Sequence, residues 1–169
     1  MSVKSRPISL AVAAALLGSA IITPALAAGG ALMGAANSNH GTVIVTAAPK
    51  GVLVRIDATG LTPGWHAVHF HEKGDCTPDA FTNAGAHVHT MTPAVHGLLN
   101  PAGNDLGDLP NIFAAADGTA HAELFSQLVM MPQLMDTDGS ALVIHANADD
   151  YTAQPIGGAG GRFACAVIK

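Results

Sequence analysis

Histidine is the residue type whose number and spacing most clearly suggest chemistry in this sequence. The chain contains nine histidines although only 11% of its residues are charged, and imidazole is the side chain that most often binds metals in proteins. His69 and His71 are two residues apart in a stretch predicted as a strand, where alternate side chains share a face. Both rings should therefore point the same way, although a single His-x-His pair is weak evidence of a metal site.

Short runs rich in strand-forming residues predict the elements that would position these histidines. The runs cover residues 42–46, 52–56, 65–71, 111–115, 119–125, 141–145 and 162–168. No long amphipathic helical pattern interrupts them, which favours an all-β sandwich or barrel. Two stretches without convincing periodicity predict long loops, here named the first loop (72–110) and the second loop (146–161). Loops this long inside compact domains are usually functional.

The first 27 residues have the pattern of a signal peptide. Lys4 and Arg6 precede an apolar run over 8–22, and Ala25-Leu26-Ala27 is a small-residue cleavage pattern. A membrane anchor is the alternative, but the run is shorter than the ~20 residues that a spanning helix needs. We expect cleavage after Ala27, a flexible segment and first strand over 28–41, and one domain over 42–169. The protein would then be periplasmic or secreted, with no membrane attachment.

The charge balance limits the class of partner. Removing residues 1–27 takes away two of the seven basic residues and none of the twelve acidic ones, which leaves a net charge of −7. A surface of this sign repels phosphate backbones, so a nucleic-acid partner is not expected.

Two cysteines, Cys76 and Cys165, complete the chemistry-bearing residues. In an oxidising compartment an isolated, widely spaced pair indicates one disulfide rather than a metal site, with two free thiols as the alternative. The bridge would link the first loop to the last predicted strand.

Several separated motifs identify a family resemblance. They are GWHAVHFHEKGDC at 64–76, AGAH at 84–87, HG at 96–97, LGDLP at 106–110, LVIHANADD at 142–150 and GRFAC at 161–165. In this order they resemble the copper,zinc superoxide dismutase family over about residues 42–169. The resemblance implies an eight-stranded Greek-key β-barrel (an immunoglobulin-like sandwich) with two long functional loops. It also implies an enzyme that uses copper and zinc.

The resemblance implies a copper site and a substrate-binding arginine. The copper ligands would be His69, His71, His87 and His145. Four nitrogens suit Cu(II), and a distorted site also tolerates Cu(I), as redox cycling requires. Arg162 matches the arginine whose permanent charge holds the superoxide anion. In the implied mechanism copper converts two superoxide anions to dioxygen and hydrogen peroxide, and His87 carries a proton.

The implied zinc site contains one departure from the family. Its ligands would be His87, which bridges the two metals, His96, Asp105 and Asp108. Asp149 matches the carboxylate that hydrogen-bonds one copper histidine and one zinc histidine. The family normally has a histidine where this chain has Asp105. Because zinc accepts carboxylate oxygen, we expect zinc to bind through Asp105, with His89 as a possible substitute.

Two other functions remain open at this stage. One is a non-catalytic copper-binding or copper-delivery protein on the same fold, although such a protein would not need Arg162. The other is a copper-only dismutase, which the retained His96, Asp108 and Asp149 disfavour. A homodimer is possible, and the sequence identifies no interface.

The remaining histidines are expected to be structural or exposed. His66 is out of phase with His69 and His71, so it should face the opposite side of the strand. His40 and His121 belong to no motif, and we expect both to be exposed to solvent.

Overall fold

A computed structural model describes Met1 and residues 24–77 and 80–169. Most of the predicted signal peptide, residues 2–23, lies outside the described residues. Among the described residues, no helix is both long enough and apolar enough to cross a membrane.

The described part of the chain is almost entirely β-structure, which confirms the predicted fold class. The strands are β1 (Ala27–Gly34), β2 (Asn39–Ala48), β3 (Gly51–Ala58), β4 (Gly64–His66), β5 (Val68–His71), β6 (Ile112–Ala114), β7 (Ala120–Ser126), β8 (Ser140–His145) and β9 (Arg162–Ile168). One four-residue helix, α1 (Met131–Leu134), and 3-10 turns at Ala35–Asn37 and Thr82–Ala84 lie between them. The strand positions follow the predicted runs closely.

The strands form a curled antiparallel sheet of seven strands and a separate pair. The order in the large sheet is β5-β8-β9-β1-β2-β3-β7, and β4 pairs with β6. Alternating residues of β2 and β3, including Val43, Val45, Val54 and Ile56, are fully buried, whereas their neighbours face solvent. This period of two lets one face of the sheet enclose the apolar core while the other face contacts water.

The predicted single strand over 65–71 is two strands in different sheets. Ala67 breaks it, because its N–H donates to the carbonyl of Asn147 and its own carbonyl accepts from the N–H of His145. β4 consequently pairs with β6, and β5 turns away to pair with β8. The structure therefore has nine strands where eight were predicted, because the contact of Ala67 with the second loop divides one of them.

The stretch expected to hold a flexible segment and the first strand contains β1. This strand pairs with β2 along most of its length and with β9 at Met33 and Gly34. Its small residues allow close packing against β2. A Cβ at Gly29, which has a φ of +143°, would lie 2.1 Å from the carbonyl oxygen of Val43. Glycine is therefore required at that position.

The predicted disulfide is present and fastens the first loop to the sheet. Cys76 and Cys165 are bonded, with their Cα atoms 5.7 Å apart. Cys165 is fully buried in a small apolar cluster with Phe81, Ala84 and Val143. The bridge closes a segment of 89 residues, for which the chain-entropy model gives a stabilisation of about 4 to 5 kcal/mol.

His40 corrects one sequence-based expectation, since it is half-buried rather than exposed. Its Nδ1 lies 2.8 Å from the carbonyl oxygen of Thr59, and its Nε2 lies 2.9 Å from Oγ of Ser38. The ring also packs edge-on against Phe163 of β9, with centroids 4.7 Å apart. The sequence alone does not reveal that these segments meet at His40. The predicted exposure of His121 is confirmed.

Candidate metal centre

The first loop packs along the free edge of β5, the end strand of the large sheet. Phe70 N–H donates to the carbonyl of Gly107 at 2.9 Å, and Val88 N–H donates to the Phe70 carbonyl at 2.9 Å. A Cβ at Gly107 would lie 2.3 Å from that Phe70 oxygen, so the approach requires glycine. The loop thereby satisfies backbone groups that an edge strand would otherwise leave unpaired.

This pairing brings residues of the first loop beside the two histidines of β5. His71 lies opposite His87, and His69 lies opposite Asp108. The neighbouring strand, β8, ends at His145. Two paired strands of the large sheet and the loop tied to its edge therefore bring these side chains together beside β5.

Four imidazoles meet there, and each has one nitrogen without a hydrogen-bond partner. Among the buried side-chain atoms of the described residues that have no partner are Nδ1 of His69 and Nε2 of His71, His87 and His145. The ligand atoms of these four residues all lie within 4.8 Å of one another. A buried polar atom without a partner costs free energy, so four converging examples indicate a missing ligand rather than poor packing.

The other nitrogen of each ring is held by the protein. Nε2 of His69 bonds Asp149 at 2.8 Å, and Nδ1 of His87 bonds Asp105 at 2.9 Å. Nδ1 of His71 and Nδ1 of His145 lie 2.9 Å and 3.4 Å from backbone carbonyl oxygens. A nitrogen that faces a carbonyl must carry hydrogen, which leaves the second nitrogen with its lone pair. The four lone pairs form a nitrogen donor set.

Burial keeps two of these rings neutral. Desolvation and the neighbouring His87 lower the pKa of His71 to about 2, and desolvation and His69 lower the pKa of His145 to about 3. Neutral imidazole is the form that binds metals. The nitrogens of His71 and His145 are therefore available to a cation over the ordinary pH range.

A second group of donors lies on the other side of the His87 ring. Nδ1 of His96 is 2.6 Å from Oδ1 of Asp108, and Nδ1 of His87 is 3.5 Å from that same oxygen. Oδ2 of Asp105 is 2.9 Å from Nδ1 of His87, and both carboxylates are buried. The metal-binding atoms of His87, His96 and Asp108 lie within 4.8 Å of one another together with that of His69, whereas Asp105 adjoins this group through its contact with His87. Two imidazole nitrogens and two carboxylate oxygens would make a mixed set of the kind that zinc accepts.

The carboxylate of Asp108 remains ionised in this group. Although burial opposes it, hydrogen bonds from His87 and His96 lower the pKa of Asp108 to about 2. Burial likewise opposes a charge on His96, but its contacts with Asp108 and Asp149 raise the pKa of that ring to about 10. The group therefore has an electrostatic preference for positive charge.

Asp149 of the second loop links the two donor groups. One carboxylate oxygen lies 2.8 Å from Nε2 of His69, and the other lies 3.1 Å from Nε2 of His96. The side chain is buried, and hydrogen bonds hold its pKa well below the usual range of a carboxylate although burial opposes this. A carboxylate in this position fixes the tautomer and orientation of both rings.

Arg162 lies at the mouth of the histidine group. Its guanidinium donates to the carbonyl oxygens of Phe81 and Gly85, and the same Gly85 oxygen accepts from Nδ1 of His71. Arg162 and His71 also line one cavity of ≈ 270 Å³ together with Pro155 and other residues. The arginine is half-buried, so a small anion that enters this cavity would meet its charge.

Two other histidines near the site do not join the donor groups. His89 is turned toward the backbone, with Nδ1 2.7 Å from the carbonyl oxygen of His87, and it lies outside both donor groups. His66 is buried, and its Nδ1 and Nε2 each lie 2.7 Å from a carbonyl oxygen, those of His145 and Thr62. His66 therefore supports the backbone of His145, which agrees with its expected structural role.

The sequence analysis missed two amide side chains beside the site, Asn111 and Gln154. Gln154 hydrogen-bonds the backbone of His96, and Asn111 hydrogen-bonds the backbone of Asp149. Both follow or lie within irregular segments, where neither strand periodicity nor turn chemistry signals such a contact.

Comparison with known proteins agrees with this geometry. Residues 39–168 match the family model described as copper/zinc superoxide dismutase. The chain is 65% identical over 136 residues to the superoxide dismutase [Cu-Zn] of Caulobacter vibrioides. This alignment covers 76% of this chain and 78% of that protein. It is 40% identical over 126 residues to superoxide dismutase [Cu-Zn] 2 of Aquifex aeolicus, in an alignment that covers 71% of this chain and 73% of that protein.

Solved structures share the fold as well. The Cu/Zn superoxide dismutase from Brucella abortus superposes with a TM-score of 0.71 at 29% identity, covering 86% of this chain and 99% of that one. A SOD-like protein from Bacillus subtilis superposes with a TM-score of 0.73 at 30% identity, covering 85% and 97%. By the extent of the family match and the identity to its members, this chain belongs to the copper/zinc superoxide dismutase family.

Proposed function

We propose that this protein is a superoxide dismutase, which converts two superoxide anions to dioxygen and hydrogen peroxide. The observation that carries the proposal is the group of four buried imidazole nitrogens that converge without hydrogen-bond partners. Copper suits such a set, because four nitrogens in a distorted arrangement bind both Cu(II) and Cu(I). When bound, copper supplies the one-electron oxidation and reduction that the two halves of the reaction need.

The chain's own residues have distinct tasks around that chemistry. His69, His71 and His145 hold the metal from the rigid sheet. Arg162 binds the anion, since its guanidinium is permanently charged and its position is fixed by two carbonyl groups. Pro155 and Ile156 line the same cavity as Arg162 and give part of its wall an apolar surface.

His87 carries the proton. Its Nε2 belongs to the copper group and its Nδ1 to the second group, so one ring spans both. Nε2 would take up a proton while it is not binding metal and deliver it as the second superoxide is reduced, and water would supply the second proton that hydrogen peroxide needs. Nδ1 keeps the ring anchored throughout. Zinc on the Nδ1 side would hold the ring through this cycle with His96, Asp105 and Asp108 as the further ligands.

The function is tested by measuring superoxide dismutation by the purified protein together with copper and zinc per chain. We expect activity in proportion to copper content. His145→Ala should abolish activity because it removes one of the four copper nitrogens, whereas the exposed His121→Ala should retain it. Full copper occupancy without turnover would overturn the proposal and favour the copper-binding or copper-delivery alternative.

Asp105 gives a separate prediction about zinc. If its carboxylate is a ligand, Asp105→Ala should weaken zinc binding by at least the roughly 10- to 100-fold that is typical when a hydrogen-bond partner of a ligand is lost, while His89→Ala should not. Zinc affinity can be measured by competition with a chromophoric chelator. Asp138→Ala, which replaces another carboxylate outside the two groups, is the control. Unchanged zinc affinity in the Asp105 variant would show that zinc binds without it.

The location of the protein follows from its N-terminal pattern and its disulfide. The Cys76–Cys165 bond needs an oxidising compartment, and cleavage after Ala27 would remove residues that precede nearly all of β1. We therefore assign the mature chain to the periplasm or the medium, with β1 as part of its single domain because that strand lies between β9 and β2 in the large sheet. Its net negative charge argues against a nucleic-acid partner.

A homodimer is supported by an exposed aromatic pair on the small sheet. Trp65 of β4 and Phe113 of β6 are cross-strand partners with ring centroids 5.1 Å apart, and 58% and 56% of their surfaces are exposed. No Asp, Glu, Lys or Arg occurs in segments 60–67 and 109–116. Because a two-fold interface brings one patch against itself, an uncharged apolar patch suits a second copy of this negatively charged chain.

The dimer is checked by sedimentation or light scattering. Trp65→Glu should convert the dimer to a monomer, because it would bury two like charges at the two-fold axis or near it. Phe125→Glu changes an equally exposed aromatic residue on β7 and should leave the dimer intact. A monomeric natural protein, or a dimer that persists in the Trp65 variant, would contradict this interface.

A further inference from the structure

The side chain of Gln154 binds both polar backbone groups of His96. Its Oε1 accepts from His96 N–H at 2.9 Å, and its Nε2 donates to the His96 carbonyl oxygen at 2.8 Å. The side-chain amide thus pairs with the N–H and the carbonyl of one residue, as a residue of a neighbouring antiparallel strand would. Two bonds to one residue fix its orientation as well as its position. Gln154 belongs to the second loop and His96 to the first, so this clamp joins the two loops.

Asn111 makes a matching pair of hydrogen bonds, in this case from the end of the first loop to a residue of the second loop. Its Oδ1 accepts from Asp149 N–H at 2.9 Å, and its Nδ2 donates to the Asp149 carbonyl oxygen at 2.9 Å. Asn111 directly follows the first loop, and Asp149 belongs to the second. The N–H of Asn111 also donates to the hydroxyl of Tyr151 at 2.7 Å, which holds the clamp itself in place.

The two clamped residues meet through their side chains. Nε2 of His96 lies 3.1 Å from Oδ1 of Asp149, so the clamps fix the backbone at both ends of this contact. The other faces of the two side chains reach Asp108 and His69. The placement of His96 within the zinc group is therefore set by groups of the second loop as well as by its own loop.

We propose that Gln154 and Asn111 are positioning residues, which hold His96 and Asp149 in the geometry that the zinc site requires. The inference rests on the proposed assignment of His96 to zinc. It has a particular consequence in this chain, because Asp105 replaces a family histidine and leaves His87 and His96 as the nitrogen donors. Of these two, His96 lies in an irregular segment, whereas His87 is bridged to β5. The amide clamp supplies the support that regular structure does not.

The test replaces Gln154 by leucine, which has a similar size and no hydrogen-bonding group. Gln154 lies at the surface, so the substitution leaves the core unchanged. Zinc affinity of the metal-free, disulfide-bonded protein should fall about 10- to 100-fold, as is typical when a partner of a metal ligand is lost. Gln127→Leu, at an exposed glutamine that follows β7, is the matched control and should bind zinc like the natural protein.

Two further readouts separate positioning from a general loss of stability. Cobalt(II) bound in place of zinc should show a changed visible absorption spectrum in the Gln154 variant, because the spectrum reports ligand geometry. The backbone N–H of His96 should also exchange faster with solvent in the metal-free protein. Asn111→Ala, which removes both hydrogen bonds to the backbone of Asp149, should likewise weaken zinc binding.

The double variant of Gln154→Leu with Asn111→Ala tests whether the clamps act on one contact. If they do, its loss of zinc affinity should be smaller than the product of the two single losses. His96→Ala distinguishes the possible failures. Retained zinc affinity in His96→Ala would overturn the proposed zinc ligand itself. Lost affinity in His96→Ala, with unchanged affinity and cobalt spectrum in Gln154→Leu, would overturn the positioning role alone.

Discussion

The buried imidazole nitrogens of the histidine group are the constraint on which the structure depends. Four lone pairs lie within 4.8 Å of one another, out of contact with water and without partners in the described protein. Such an arrangement is unfavourable unless a cation binds there. The fold bears this cost by holding three of the rings on two paired strands, β5 and β8, and by using the second nitrogen of each ring as an anchor. The paired strands therefore keep the desolvated nitrogens in place for a metal ion.

The two loops contribute the residues of the site that the sheet does not provide. The first loop lies along the edge of β5 and contributes His87, while the disulfide ties the same loop to β9, which begins at Arg162. The carbonyl of Gly85 then serves both the arginine and His71. The anion-binding group and the metal-binding group share one segment of backbone, so a displacement of this loop would disturb both at once. The second loop contributes Asp149, which hydrogen-bonds His69 and His96.

Strand alternation and motif spacing predict much of this arrangement from the sequence. They place His69 and His71 on one face, they locate most strands to within a few residues, and they identify both cysteines of the disulfide. The contacts that escape prediction are those between segments far apart in the chain. Ala67 breaks a predicted strand because a loop 80 residues later binds it, and His40 is half-buried because Ser38, Thr59 and Phe163 contact its ring. The amides of Asn111 and Gln154 belong to the same class, since local sequence patterns carry no information about where two loops touch.

Anomalous X-ray scattering from crystals of the metal-loaded protein, recorded at the copper and zinc absorption edges, tests the central claim most directly. The account predicts copper within bonding distance of Nδ1 of His69 and Nε2 of His71, His87 and His145. It also predicts zinc on the other side of His87, between His96 and the two carboxylates of Asp105 and Asp108. Copper found outside the four-nitrogen group, or bound with fewer than three of those nitrogens, would contradict the account.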